Sequence, residues 1–305
     1  MKKIRNFQEA LKKIFRFGNN YFRTFFHLHF HAISQQVSSL NLCVLNFFFL
    51  GFISRNIFFA FVRYPMANPK ILVCIDFDKT LVDCNADVEI KSLLNGKEVP
   101  EEIESLSKVS KGWTTYMREL FKFLHKNKVS KDDYIRCLTQ LPMVPGMLEL
   151  LIQMHDSGDC EIIILSDANS FFVQSILCDN QVNDMISKVF TNPAEFDKDG
   201  CLQIREFQNQ TSCKRCPPNL CKGAVLVSYI AKRMLEGVQY CRTLYIGDGH
   251  NDVCPALRLG VNDFVFARAG FRLLRCLEKM PAKNVKATVI PWETVKNIRD
   301  VLLSS

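Results

Sequence analysis

The stretch Lys70-Ile71-Leu72-Val73-Cys74-Ile75-Asp76-Phe77-Asp78-Lys79-Thr80 decides the fold. After Lys70, the run Ile71 to Ile75 is apolar and rich in β-branched side chains, as expected of a strand covered on both faces. The strand ends in two carboxylates one residue apart. Such a pair suits a nucleophile, a proton donor and a divalent cation working together. A second apolar run, Leu244 to Ile246, closes in Gly247-Asp248-Gly249-His250-Asn251-Asp252. Taken singly, the first pair also fits a helix cap and the second cluster a plain turn. Found together, at the ends of two strands, they point to metal-assisted phosphoryl transfer.

Outward from Asp76 the chain alternates. Residues 86–140 are charged and amphipathic with almost no strand signal, and Val99-Pro100-Glu101-Glu102 marks a helix start. This segment reads as a helical insertion, ended by Pro142 to Gly146 and followed by a helix from Met147 to His155. Cys160–Leu165 reads as a second strand stopped by Ser166-Asp167, Ser170–Leu177 as helix and Lys188–Thr191 as a short strand. Residues 193–221 look like loop, Lys222–Glu236 like an amphipathic helix, Thr243–Ile246 like a strand, Pro255–Leu259 like a helix and Phe264–Phe266 like a strand. Strands alternating with helices predict an α/β fold, a doubly wound parallel sheet with a helical cap inserted. Ligands bind such sheets beyond the C-terminal strand ends. Those ends supply Asp76, Ser166 and Asp248.

Each residue has a chemical reading. Asp76 is the candidate nucleophile, and Asp78 would protonate the leaving oxygen and later take a proton from water. Thr80 would hydrogen-bond the phosphate or the turn that aims Asp78. Mg²⁺ takes hard oxygen ligands and needs few from protein; Asp76 and Asp248 offer carboxylates and Asp78 a carbonyl. Asp252 suits a supporting place beside the metal or the lysine. Ser166 and Lys222 complete a phosphate cradle, since a lysine at a helix start opposes the dipole unless an anion sits beside it. A solvated surface charge is the plain alternative for Lys222.

Asp76–Thr80, Ser166, Lys222 and Gly247–Asp252 resemble, in order, the four signature motifs of the haloacid dehalogenase superfamily of aspartyl-phosphate phosphatases. Leu165–Asn169, Thr191–Pro193, Cys213–Pro217, Asn219–Lys222 and Gly247–Pro255 are similar to the family of phosphoethanolamine/phosphocholine and pyridoxal-phosphate phosphatases. The similarity runs from about Lys70 to Leu303. It implies Asp76 as nucleophile, Asp78 as acid and base, Asp76, Asp78 and Asp248 as Mg²⁺ ligands, and Asp87 and Asp167 at positions that contact substrate. Anionic side chains there favour a leaving group carrying an amine or quaternary ammonium; for Asp87 a helix N-cap is the plain alternative. Lys79 stands where members differ, and Gln208–Thr211 where a histidine-containing segment is expected. Pyrophosphate is a further substrate class for such motifs.

Residues 1–65 differ from the rest. They hold nine Lys/Arg against one acid (Glu9), so the net charge of +8 lies entirely there and residues 66–305 balance. They also hold 14 of the 25 Phe. Leu40 to Val62 has the length of a membrane span, but Arg55 and Asn56 interrupt it, and an arginine there costs about 2.5–3.5 kcal/mol. A membrane anchor at residues 40–62 and a dispensable extension ahead of Met66 both fit. The expected organisation is thus an extension at 1–65 and a phosphatase domain at 66–305 with its cap at about 86–140. The expected partner is a small phosphomonoester in the cytoplasm, or at a membrane if the anchor operates; a membrane-associated interaction protein is the rival. No nucleic-acid module is present, and a solvated amphipathic helix accounts for the basic residues 1–23. The 13 Cys form no disulfide framework in so long a chain. Cys213, Cys216 and Cys221, with Cys201 or Cys254, leave open a zinc site, though buried reduced thiols are the simpler reading.

Overall fold

The computed structural model describes residues 70–109 and 112–303. In chain order its strands are β1 (Lys70–Ile75), β2 (Cys160–Asn169), β3 (Lys188–Asn192), β4 (Ala194–Phe196), β5 (Leu202–Ile204), β6 (Tyr240–Gly247), β7 (Phe264–Arg268) and β8 (Thr288–Trp292). Six of them form one sheet in the order β3-β2-β1-β6-β7-β8, and every pairing in it is parallel. β4 and β5 make a separate antiparallel pair. The α/β class and the parallel sheet are as expected. β1 sits at the centre, and Leu72 to Ile75 are fully buried, which is why the run needs no polar alternation.

The helices are α1 (Ala86–Glu89), α2 (Glu101–Ser107), α3 (Trp113–Lys126), α4 (Lys131–Thr139), α5 (Met147–Asp156), α6 (Ser170–Asp179), α7 (Lys222–Leu235), α8 (Val253–Ala256), α9 (Arg272–Glu278) and α10 (Val295–Leu303). The first four fill the stretch expected to be a helical insertion. α3 buries Tyr116, Met117, Leu120, Phe121 and Leu124, a stripe at helical spacing. The Phe121 ring meets Tyr134 of α4 at 6.1 Å and Phe172 of α6 at 5.8 Å. The insertion therefore shares one core with the sheet layer. α4 starts at a capping box in which Ser130 and Asp133 satisfy each other's backbone amides.

Several boundaries differ from expectation. β2 runs on to Asn169 instead of stopping at Leu165, its register slipping between Leu165 and Asn169. Within the expected loop, β4 and β5 form a hairpin. α8 begins at Val253, two residues before Pro255, because a proline in the first turn forfeits no helical hydrogen bond. The site lies in a compact unit of Lys70–Leu226 and Tyr240–Ser305, while Val227–Gln239 falls in a second unit, where Arg233 pairs with Glu236 at 2.7 Å. The basic N-terminal segment and its candidate anchor at 40–62 lie outside the described residues. Among the described residues no helix is long and apolar enough to cross a membrane.

Candidate active site

Asp76 is the first residue past β1, and its amide donates to the Ile246 carbonyl of β6 at 2.9 Å. The two acidic strand ends are thus stitched side by side. One Asp76 oxygen accepts the Phe77 amide at 2.7 Å. The chain then curls: the Phe77 carbonyl accepts amides from Thr80, Leu81 and Val82, and Lys79 adopts a left-handed φ of 56°. Asp78 is turned toward α1, where its carboxylate accepts the Ala86 amide at 2.8 Å. Thr80 is fully buried, and among the described residues its hydroxyl has no partner.

β6 delivers the second cluster. Asp252 is fully buried and its oxygens are all engaged. One accepts Lys222 Nζ at 2.8 Å and the Tyr245 hydroxyl at 2.6 Å; the other accepts the amides of Asp248 and Gly249 at 3.1 and 2.8 Å. Lys222, the first residue of α7, is 1% exposed and also lies 2.7 Å from Asp76. It is no solvated surface charge. Oxygens of Asp76, Asp248 and Asp252 lie within 4.8 Å of one another.

β2 and the insertion complete the edge. Ser166 is fully buried, and its hydroxyl accepts the Ala168 amide at 3.1 Å. Asn192, at the end of β3, donates to the carbonyls of Asp167 and Ala168 at 2.7 and 2.9 Å, which holds the segment carrying Asp167. Asp87, on α1, is 3% exposed and accepts the Trp113 indole N–H at 2.7 Å; its other oxygen is buried with no partner among the described residues. The plain alternative for Asp87 gives way, because Asn85 is the N-cap of α1.

Electrostatics follow from carboxylates gathered around the buried Lys222 ammonium. Burial, then Asp252, raises the Asp76 carboxyl well above its usual range, and Lys222 opposes them. Asp78 is raised by burial and then by Asp87. Asp87 and Asp248 are each pushed up to about 7, mainly by burial. Burial pulls Lys222 down, but Asp252 and Asp76 outweigh it and hold the ammonium charged. A buried cluster of carboxylates of this kind calls for a cationic partner.

Four positioning residues escape a reading of the sequence alone. Tyr245 looks like one more residue of an apolar strand, and Trp113 like a helix core residue. Asn192 sits in a quoted motif without an assigned role. Arg268 caps β7, two residues past the expected end of that strand. It donates to the Lys79 carbonyl and to Asp83, each at 2.6 Å, and its guanidinium lies over Phe271 and Trp292 at 4.7 and 5.2 Å.

A family described as Putative Phosphatase matches residues 71–305. The chain belongs to this phosphatase family. Pyridoxal phosphate phosphatase PHOSPHO2 of Mus musculus is 40% identical over 231 residues, 74% of this chain and 94% of that protein. Phosphoethanolamine/phosphocholine phosphatase of Homo sapiens is 36% identical over 235 residues, 76% of this chain and 87% of that protein. Among solved structures, a substrate-bound phosphoserine phosphatase superposes with a TM-score of 0.51 at 16% identity, over 77% of this chain and 99% of that one, a likeness of fold. The chain is therefore a phosphatase, a phosphomonoester hydrolase with the haloacid dehalogenase fold.

Proposed function

We propose that this phosphatase cleaves a small phosphomonoester by forming an aspartyl-phosphate on Asp76. The observation that carries the reading is the meeting of Asp76, Lys222 and Asp252 at the joined ends of β1 and β6. An Asp76 oxygen attacks phosphorus and the ester P–O bond breaks. Asp78, kept protonated by burial, passes its proton to the leaving oxygen, then takes one from the water that releases phosphate. Lys222 would pair with phosphate charge, and the Ser166 and Thr80 hydroxyls would bind its oxygens.

The donor set fits Mg²⁺: hard oxygens, in excess of local positive charge. Asp76 and Asp248 would be its carboxylate ligands and Asp78 would offer its backbone carbonyl. Asp252 has its oxygens engaged and serves instead as a brace for Lys222 and the Asp248 loop. When bound, the ion would screen the charge of nucleophile and phosphate. α1 to α4 would act as a cap that excludes bulk water.

For the leaving group, Asp87 favours a cation: a buried carboxylate with one unsatisfied oxygen gains most from a positively charged partner. Pyridoxal phosphate, phosphocholine and phosphoethanolamine all bring one. Steady-state rates on these three, with pyrophosphate as a control, test the substrate class. Asp76→Asn should lower kcat by at least about 10³-fold at an unchanged far-UV spectrum. Activity retained in that variant would remove Asp76 as nucleophile.

A further inference from the structure

Among the described residues, one group of metal-ligating side chains converges besides the carboxylates. Cys213, Cys216, Cys221 and Cys254 place their sulfurs within 4.8 Å of one another. Cys216, Cys221 and Cys254 are buried and Cys213 closes the cluster from the outside. Cys254 supplies the fourth position; Cys201 lies apart, its thiol directed at the Phe121 and Leu202 carbonyls.

We propose that these four cysteines bind one Zn²⁺ as a structural site, separate from the carboxylate centre. Zinc held by four thiolates at about 2.3 Å in a tetrahedron sets the sulfurs roughly 3.8 Å apart. The Cys213–Cys254 and Cys221–Cys254 sulfurs are each 3.7 Å apart. That spacing is far too long for a disulfide, whose sulfurs lie about 2.05 Å apart. The cluster leaves room for one ion and not for a polynuclear centre.

The surroundings are built for the same purpose. Cys213-Lys214-Arg215-Cys216 is a C-x-x-C turn. Gln210 braces it, donating to the carbonyls of Cys213, Cys216 and Pro217 at 3.2, 3.1 and 2.8 Å and accepting the Cys213 amide at 2.8 Å. Gln210 lies in the segment where a histidine is expected, so that position holds a loop and no ligand. The Ala224 amide donates to the Cys221 sulfur, and Arg258 brings positive charge toward Cys254. Both suit a tetrathiolate centre, which is anionic. Gly223 has no side chain because a Cβ there would stand 2.7 Å from the Cys254 sulfur.

The ligands adjoin the carboxylate centre in sequence. Cys221 precedes Lys222, and Cys254 follows Asp252 by one intervening residue. Zinc would tie the start of α7 to the start of α8, the two segments joined by the Lys222–Asp252 ion pair. This role does not depend on the reaction proposed above.

The test uses the full chain, purified under reducing conditions without chelator. Metal analysis should give about one zinc per chain. Protein loaded with cobalt in place of zinc should show the intense visible bands of a tetrahedral thiolate site and a thiolate-to-cobalt charge-transfer band. Cys216→Ser should lose zinc and melt several degrees lower; should that variant fail to fold, the cobalt spectrum of the unmodified chain decides alone. Zinc far below stoichiometric together with free titration of the four thiols in the native state overturns the site. So does iron in place of zinc, or a cobalt spectrum lacking thiolate bands.

Discussion

Gly247 and Asp252 compete for one volume: a Cβ on Gly247 would stand 2.6 Å from Oδ2 of Asp252 and 2.7 Å from its Cγ. Asp252 cannot yield cheaply, because that same oxygen accepts the amides of Asp248 and Gly249. The brace of Lys222 thus requires a glycine at the end of β6. Gly247→Ala should destabilise the protein by about 1–3 kcal/mol through overpacking. Its turnover should fall more steeply than its stability, since Lys222 moves with Asp252. Urea midpoints and kcat measured on the same preparation check this, and an alanine variant with unchanged kcat would show that the brace is dispensable.

Tyr245 tests the same brace from below. Its hydroxyl is the shortest of the four bonds to Asp252, at 2.6 Å. Tyr245→Phe keeps the packing and removes one donor from a buried carboxylate, a loss of about 1–3 kcal/mol. Lys222 and two amides remain to hold Asp252, so kcat should fall by only about tenfold or less, far less than on removal of Asp76. Thermal unfolding and steady-state kinetics separate the two effects.

Asp87 ties stability to pH. Its folded carboxyl is pushed up to about 7 by burial, against 3.8 for an ordinary aspartate. Between those values the folded chain holds a proton that the unfolded chain has released. Stability contributed by this group is therefore full below about pH 4 and is lost as pH rises through 7, by at most about 4 kcal/mol. Asp87→Asn should flatten the decline between pH 5 and 8, read from urea midpoints across that range. A variant as pH-sensitive as the parent would assign the dependence to Asp76, Asp78 or Asp248, which shift in the same direction.

The same side chain bears on substrate choice. Asp87→Asn removes the charge that would face a cationic leaving group while keeping the bond from Trp113. KM for an ammonium-bearing phosphomonoester should rise about tenfold or more, and that for a neutral aryl phosphate should change little. Equal effects on both would place Asp87 in the support of α1 alone.

How much of this was legible in the sequence depends on burial. Ile71–Ile75 of β1, Ile162–Leu165 of β2 and Leu244–Ile246 of β6 are continuous apolar runs, because both faces of a parallel sheet are covered, and each announces itself. β8 does not: Thr288 and Pro291 lie exposed in an edge strand, where proline is tolerated, so the run lacks the signal of a central strand. The carboxylates at the strand ends are legible because charge after a buried strand is costly without a use, and Lys222 because a cation at a helix start opposes the dipole unless an anion sits beside it. Tyr245, Asn192 and Trp113 are not, since a buried polar tip is visible only once its partner, distant in sequence, is in place. Cys254 is a half-legible case: the sequence offers it and Cys201 equally as the fourth thiol, and only the fold chooses between them. It lies 33 residues from Cys221, and only the pairing of β6 with β1 and the start of α7 brings the two together.

Arg268 carries the last prediction. Its fork holds the Lys79 carbonyl and the Asp83 carboxylate at once, and two aromatic faces fix the guanidinium. Lys79 follows Asp78 directly and sits at a left-handed φ, so the tether acts on the turn that aims the acid. The ion pair with Asp83 is partly exposed and contributes only about 0–1 kcal/mol, which makes the tether nearly neutral for stability. Arg268→Met keeps the apolar contact with Phe271 and Trp292 and removes both donors. Tm should fall by a few degrees, while kcat drops about tenfold or more and KM changes little. Arg268→Lys should not restore kcat, because one ammonium cannot reproduce the planar fork. A lysine variant with full activity would show that charge at this edge, and not the geometry of the turn, is what the reaction needs.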